Sequence, residues 1–375
     1  MEKRCGEVAD CKDSSDTNFC STVGYHGKSY RKQIPPKESD DKRTPVEVNY
    51  NFEFIKNIDE LNMKFSSRVV ITIIWRDARL VYKNLGDHNI LDEKDINAMW
   101  KPPLILSNSL DLASIIENKY LLVEVEKQGQ GVPENEKVLY EGMTYNGNEN
   151  DLVMSAKIDN DFACSYQLHN YPFDSQICSI DISSPDNILH DIKLIPGKIT
   201  YSGPNESLPQ FEFNIGMIEA NDEGSTIRGL IHLKRNPRYH ILCTYLPTVC
   251  IILMAIITMF IDESHFEATI MVALTAMLVL YTLFQSISDN MPTTAYLKLL
   301  DVWLIFGLGM PFLIFIVEVT WELMQQKEND DVKDMYSITK SMKTKCKICF
   351  QIGIPVVCLV FSILYVIIVF VKYYE

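Results

Sequence analysis

One stripe of residues in this sequence has the types and spacing to handle water and charge. Glu267, Met271, Thr275, Leu278, Thr282, Gln285 and Asp289 recur every three or four positions, which sets them along one face of a helix. The segment that carries them, EATIMVALTAMLVLYTLFQSISDNMP, is otherwise apolar. Lipid disfavours a face with carboxylates, hydroxyls and an amide, and a lone intramembrane glutamate is expensive. The chemistry available to such a stripe is hydration and electrostatics, with no bond made or broken. No metal-ligand cluster, nucleophile elbow or phosphate loop occurs in the chain, and the seven histidines have no ligand spacing. These residues argue against an enzyme and call for no metal and no cofactor.

The elements that must position the stripe are legible from hydropathy. Up to about Arg238, charged and turn-forming residues interrupt every apolar run. After it come four apolar stretches, residues 241–261, 266–287, 299–320 and 348–371, each long enough to cross roughly 30 Å of hydrocarbon as a helix. The stripe lies in the second. Four crossings put both ends of this half on one side. Six lysines between Lys327 and Lys347 mark the loop 322–347 as cytoplasmic, so the N-terminal domain and the C-terminus face outward. That loop is too short to fold alone. Trp303 and Trp321, near opposite ends of the third span, suit an aromatic belt. Cys346 and Cys349 have the spacing of half a zinc site, but no second pair accompanies them, which favours free or acylated thiols beside the membrane.

Residues 1–45 are polar, lack periodicity and read as an N-terminal extension. Residues 1–48 hold no apolar core of the kind a secretion signal needs, so either a signal has been removed or the gene model is incomplete. Residues 46–238 read as an all-β sandwich. Val46, Val48, Tyr50, Phe52 and Phe54 alternate with polar residues, the period of a half-buried strand. Residues 68–82 read as a central strand, and further strand-like runs fall at 119–127, 137–145, 152–158, 176–182, 192–195, 211–218 and 227–233. One short helix is expected near 92–98. Residues 1–238 carry 27 Lys and Arg against 37 Asp and Glu. An acidic domain concentrates cations and argues against nucleic acid as a partner. Asn205 opens a glycosylation sequon in a loop-like context, as an extracellular face would allow. Cys5, Cys11 and Cys20 lie in the extension, an odd number whose pairing stays open.

The most specific run is CSYQLHNYPFDSQIC, in which Cys164 and Cys178 enclose 13 residues around Tyr171-Pro172-Phe173-Asp174. It resembles the signature loop of the pentameric Cys-loop ligand-gated ion channels. Trp75, Asp77, Arg79 and Leu80 match that family's Trp-x-Asp-x-Arg-Leu. Trp100-Lys101-Pro102 matches its Trp-x-Pro, with Pro103 where Asp is usual. Arg235 stands in the place of the basic residue ahead of the first span, and Pro247 in that of the proline within it. The resemblance covers about residues 46–375.

It implies an extracellular β-sandwich, a transmembrane domain of four helices and assembly with four further subunits of the same or a related chain in the plasma membrane. It implies a disulfide between Cys164 and Cys178, which would stabilise by roughly 3 kcal/mol in chain entropy. The finger so closed, with Tyr171, Pro172, Phe173 and Asp174 at its tip, would rest on the turn at Pro292 and Thr293. Asp174 and Arg235 would pair between binding domain and pore. The stripe would line that pore, with Glu267 as a carboxylate ring, Thr275 and Thr282 as hydroxyl rings and Leu278 as an apolar constriction that closes by dewetting. The Pro-Ala-Arg of anion-selective relatives is absent and Glu267-Ala268 resembles cation-selective bacterial members, so monovalent cations are the expected permeant ions. A small-molecule agonist is implied. The positions of the amine-binding aromatic cage fall on Val70, Ser107, Val153 and Pro185, none of them aromatic, which argues against an amine of the acetylcholine type.

Overall fold

The computed structural model describes residues 22–26, 30–37, 43–111, 121–133, 143–185, 191–204, 208–221, 224–261, 265–330 and 336–374. The tail cysteines Cys5, Cys11 and Cys20, the sequon residue Asn205 and most of the strand expected at 137–145 lie outside them.

Alternating apolar residues build the first half as two facing sheets. A five-stranded sheet has the order β11 (Ile192–Tyr201), β2 (Thr44–Asp59), β3 (Lys64–Trp75), β9 (Asp151–Ala163) and β6 (Leu121–Glu126). A four-stranded sheet has the order β12 (Phe211–Ala220), β13 (Thr226–Arg235), β10 (Ser175–Ser183) and β5 (Ile105–Leu106). A small third sheet joins β1 (Val23–Tyr25), β4 (Leu80–Lys83), β8 (Met143–Asn146) and β7 (Val132–Pro133), and α1 spans Glu93–Ala98. Val46, Val48, Tyr50 and Phe52 point inward from β2, as do Val69, Ile71, Ile73 and Trp75 from β3. The buried Tyr50 hydroxyl donates toward the carbonyls of Ile180 and Ile227, 3.2 Å from each, and so ties the sheets together.

Three expectations change. Phe54 does not continue the buried row of β2, because a register shift between Phe52 and Phe54 turns it outward, as a bulge does. There it lies under the Arg68 guanidinium. The strand expected over 68–82 ends at Trp75. The Asp77 carboxylate accepts the Arg79 N–H and its guanidinium, and the Asp77 carbonyl accepts the Leu80 N–H, forming a turn before β4. The expected extension, 1–45, is not wholly apart from the sandwich. β1 pairs with β4, and the Tyr30 hydroxyl reaches Asp77 at 3.2 Å while its ring lies 4.7 Å from the Arg79 guanidinium.

The second half begins at α2 (Arg238–His240), passes a π-helical turn at Ile241–Tyr245 and continues as α3 (Leu246–Thr258). Pro247 has no N–H to return to the carbonyl of Cys243, and the wider turn sits at that point. α4 spans Phe266–Asp289, α5 Leu299–Asp330 and α6 Tyr336–Tyr374. Among the described residues, four segments are long and apolar enough to cross a membrane: Arg238–Thr258, Phe266–Asp289, Leu299–Met324 and Cys346–Lys372. The sandwich core runs on into the bundle through Met291, Leu300, Trp303, Leu304 and Tyr365. Trp303 donates to the Thr248 hydroxyl at 2.8 Å and Tyr245 meets Tyr365 at 2.7 Å, fixing the bundle end beneath the sandwich.

Candidate functional site

Two constellations stand out, one at the junction of the halves and one along α4. At the junction, a disulfide joins Cys164 to Cys178, with Cα atoms 5.3 Å apart. Inside the finger it closes, Gln176 accepts the Gln167 N–H and donates to the Gln167 carbonyl, both at 2.8 Å. The peptide between Tyr171 and Pro172 is cis.

The finger aims Asp174 at Arg235, the last residue of β13. Arg235 Nε donates to Asp174 Oδ1 at 2.7 Å and Nη2 to Oδ2 at 3.2 Å. The same Nη2 donates to Glu60, in the β2–β3 turn. Both Asp174 and Arg235 are buried. The guanidinium lies between the rings of Tyr171 and Phe211, 4.6 and 4.5 Å from their centres. Burial works against its charge, but the hydrogen bonds and charges of Asp174 and Glu60 outweigh it and hold Arg235 more firmly protonated than usual. Burial also pushes the Tyr171 phenol upward.

The finger then grips the bundle by its backbone. The His169 carbonyl accepts the Leu299 N–H at 2.9 Å and the Tyr171 carbonyl accepts the Leu300 N–H at 3.1 Å. The Leu168 N–H donates to the Tyr296 hydroxyl at 3.0 Å, and His169 stacks on Tyr296. The Tyr171 hydroxyl meets His240 Nε2 at 2.9 Å. The anchor is thus Tyr296 and the start of α5, a few residues beyond the expected Pro292 and Thr293. Of those two, Pro292 is buried and Thr293 exposed.

Along α4, Glu267, Met271, Thr275, Leu278, Thr282, Gln285 and Asp289 are all exposed, while Thr269, Ala273, Ala276 and Leu280 on the other side are buried. The Thr275 and Thr282 hydroxyls donate to carbonyls one turn back, of Met271 and Val279, both at 2.8 Å. Each therefore keeps its lone pairs for water. Gln285 donates to Asp289 at 3.0 Å. The polar face of α4 points away from its own bundle, and a single subunit does nothing to cover it.

Residues 22–219 match the family model described as neurotransmitter-gated ion-channel ligand binding domain. That match spans more than half of the chain. The chain belongs to the Cys-loop family of ligand-gated ion channels. Among curated relatives, it is 26% identical to the glutamate-gated chloride channel subunit beta of Haemonchus contortus, over 73% of this chain and 63% of that one. It is 25% identical to the gamma-aminobutyric acid receptor subunit beta of Lymnaea stagnalis, over 80% and 60%. It is 24% identical to the gamma-aminobutyric acid receptor subunit beta-like protein of Drosophila melanogaster, over 66% and 50%. The chain thus spans less than two thirds of the length of these relatives.

As a Cys-loop family member, the protein is a membrane protein with its β-sandwich outside the cell. The positions read for a ligand are divided between the two sheets. Val70 and Val153 belong to β3 and β9 of the five-stranded sheet, whereas Ser107 follows β5 and Pro185 follows β10 at one end of the other sheet.

Sequence reasoning missed Glu60, His240 and Tyr296 at the junction. Glu60 has a testable consequence. Burial raises its carboxyl above the usual range, against the pull of Arg235, whose charge Asp174 already shares. A carboxyl raised on folding contributes stability below its unfolded value, and that contribution is lost as pH rises through the folded value. Ionised Glu60 therefore weakens the fold at neutral pH. Glu60→Gln, which keeps an acceptor for Arg235, is expected to unfold at a higher temperature than the native chain at pH 7. The gap should close by about pH 4, near the unperturbed glutamate value. Thermal unfolding of the purified protein at both pH values checks this, and a lower midpoint for the variant at pH 7 would contradict it.

Proposed function

We propose that this chain is one subunit of a pentameric, agonist-gated ion channel whose pore is lined by α4. The observation that carries the proposal is the polar face of α4, exposed along its whole length in a segment apolar enough to cross a membrane. Five such faces around an axis would cover one another and enclose water, with Leu278 as the constriction. The junction of Asp174, Arg235 and Glu60, together with the finger's grip on α5, would carry agonist binding to the pore. The plasma membrane is the setting.

Selectivity for monovalent cations is the finer part of the proposal. Glu267 lies in the first turn of α4, at the cytoplasmic end, where a ring of five carboxylates would attract cations and repel anions. The Haemonchus relative is a glutamate-gated chloride channel subunit, and chloride is the competing outcome. The agonist is a small molecule held between neighbouring subunits, because the four candidate positions lie on different sheets. Their lack of aromatic and charged side chains supports one second reading, an accessory subunit that takes its agonist through a partner.

Expression alone in a cell of low background conductance, of Leu278→Thr and Met271→Thr variants that loosen the stripe so that no agonist is needed, with reversal potentials read in sodium and chloride gradients, tests both parts. The expected result is a current that reverses near the sodium potential and moves away from it by tens of millivolts in Glu267→Ala. Reversal at the chloride potential would overturn cation selectivity. Silence of pentamers at the surface would overturn the channel reading, and failure to form pentamers would leave the accessory subunit.

A further inference from the structure

A cavity of about 710 Å³ opens beside the junction, between the start of the first span and the outer half of α4. Glu60 and Arg235 close it on the sandwich side, and Thr282 and Ser286 of α4 line it along the bundle. A further wall is the π-helical turn Ile241–Tyr245, which brings Cys243 and Thr244 to the cavity. Turns of this kind recur at functional sites. The Thr248, Thr258 and Thr269 hydroxyls each donate to a carbonyl one turn back. Thr244 differs: it is 4% exposed, it lines the cavity, and its hydroxyl meets no hydrogen-bond partner among the described residues. A buried polar group in that condition is costly. A cavity this roomy and polar lets water supply the missing bond.

Cys243 presents an exposed thiol in the same wall, and a thiolate in water is a nucleophile toward disulfides. Neither the stripe of α4 nor the finger's grip gives it a task. Cys250 is exposed too, but it lies roughly 10 Å deeper along the same span and does not line the cavity. We propose that the cavity is a hydrated chamber that admits small water-soluble disulfides from outside the cell, and that Cys243 is its site of reversible S-thiolation. The Cys243 thiol gives its proton to water, and its sulfur attacks one sulfur of the disulfide. The old S–S bond breaks as the new one forms, and the leaving thiolate takes up a proton. The disulfide is the only oxidant needed, and excess small thiol reverses the step. The proposal rests on the outward-facing sandwich and not on conduction.

The test treats cells that express the full-length chain, from outside, with trimethylammonioethyl methanethiosulfonate, a permanently charged thiol reagent, and reads peptide masses of the surface protein over time. Cys243 is expected to react about tenfold faster than Cys250, the ratio that about 1.4 kcal/mol of barrier produces. Ser286→Trp, which puts an indole into the chamber, should slow the reaction at Cys243 and leave Cys250 unchanged. Cystine in place of the reagent should leave a half-cystine on Cys243 that dithiothreitol removes. An unreacted Cys243 in the native protein would overturn the proposal without any variant, and so would equal rates at the two cysteines. A rate at Cys243 indifferent to Ser286→Trp would overturn the route through the chamber, and absence of the cystine adduct would overturn the thiolation. None of these readouts needs current, so this test and that of the channel can fail separately.

Discussion

Arg235→Ala is expected to destabilise the protein by about 3–5 kcal/mol, the range seen when one partner of a buried ion pair is removed. The loss exceeds the value of the pair because of what remains. Asp174 is buried and, among the described residues, would keep only Gln176 as a side-chain donor. Glu60 would lose the guanidinium that partly offsets its burial. The rings of Tyr171 and Phe211, now on either side of a cation, would face a void. Arg235→Lys keeps the charge but not the planar fork that reaches both carboxylates, so it should fall between. The decisive measurement is a double-mutant cycle with Asp174→Asn, read as thermal or denaturant unfolding of the purified protein. Adding Asp174→Asn to Arg235→Ala should recover part of the loss, since it removes the stranded charge. Strictly additive losses would show that the two residues act independently, and the junction would then not be the coupled unit described here.

How much of this was legible beforehand depended on whether the signal was local. The α4 stripe was fully so, since a 3.6-residue period survives whatever the helix packs against, and each of its seven residues is exposed in the fold. The alternation of β2 was legible as far as Phe52, but the bulge that turns Phe54 outward is a property of pairing with β3, not of β2. Residues 68–82 misled because apolar residues resume at Leu80. The turn between is made by Asp77 bonding its own neighbours, and only the polar run Arg76-Asp77 hinted at it. Asp174 and Arg235 were found through resemblance to a known loop. Glu60 is 175 positions from Arg235 in the chain and carries no motif, so nothing local could have placed it there. Tyr296 and His240 escaped for the same reason. The ligand positions are a different case: Val70 and Val153 sit on one sheet, while Ser107 and Pro185 follow strands of the other, and a site of the proposed kind, made between copies, would be complete in none of them.

Leu278→Thr is expected to give spontaneous current without agonist. Leu278 is 62% exposed in the single subunit, on the face proposed to meet four others, and a ring of leucines can exclude water from a narrow pore. Threonine is one heavy atom smaller and offers a hydroxyl, and it gives up apolar surface worth about 0.8 kcal/mol per methylene. In the homopentamer proposed above, the change is made five times over. If each subunit shifts the closed state by about 1 kcal/mol, the sum is about 5 kcal/mol, close to the 5.5 kcal/mol that takes a two-state equilibrium from 1:99 to 99:1. A channel closed at rest would then stand open much of the time. Recording holding current in cells that express Leu278→Thr, against the native chain at equal surface density, checks the claim. Leu278→Val, which stays apolar, should remain closed. Met271→Thr lies two turns nearer the cytoplasmic end on the same face and serves to locate the constriction. If Met271→Thr opened the channel and Leu278→Thr did not, the stripe would still line the pore, but its gate would lie nearer Glu267.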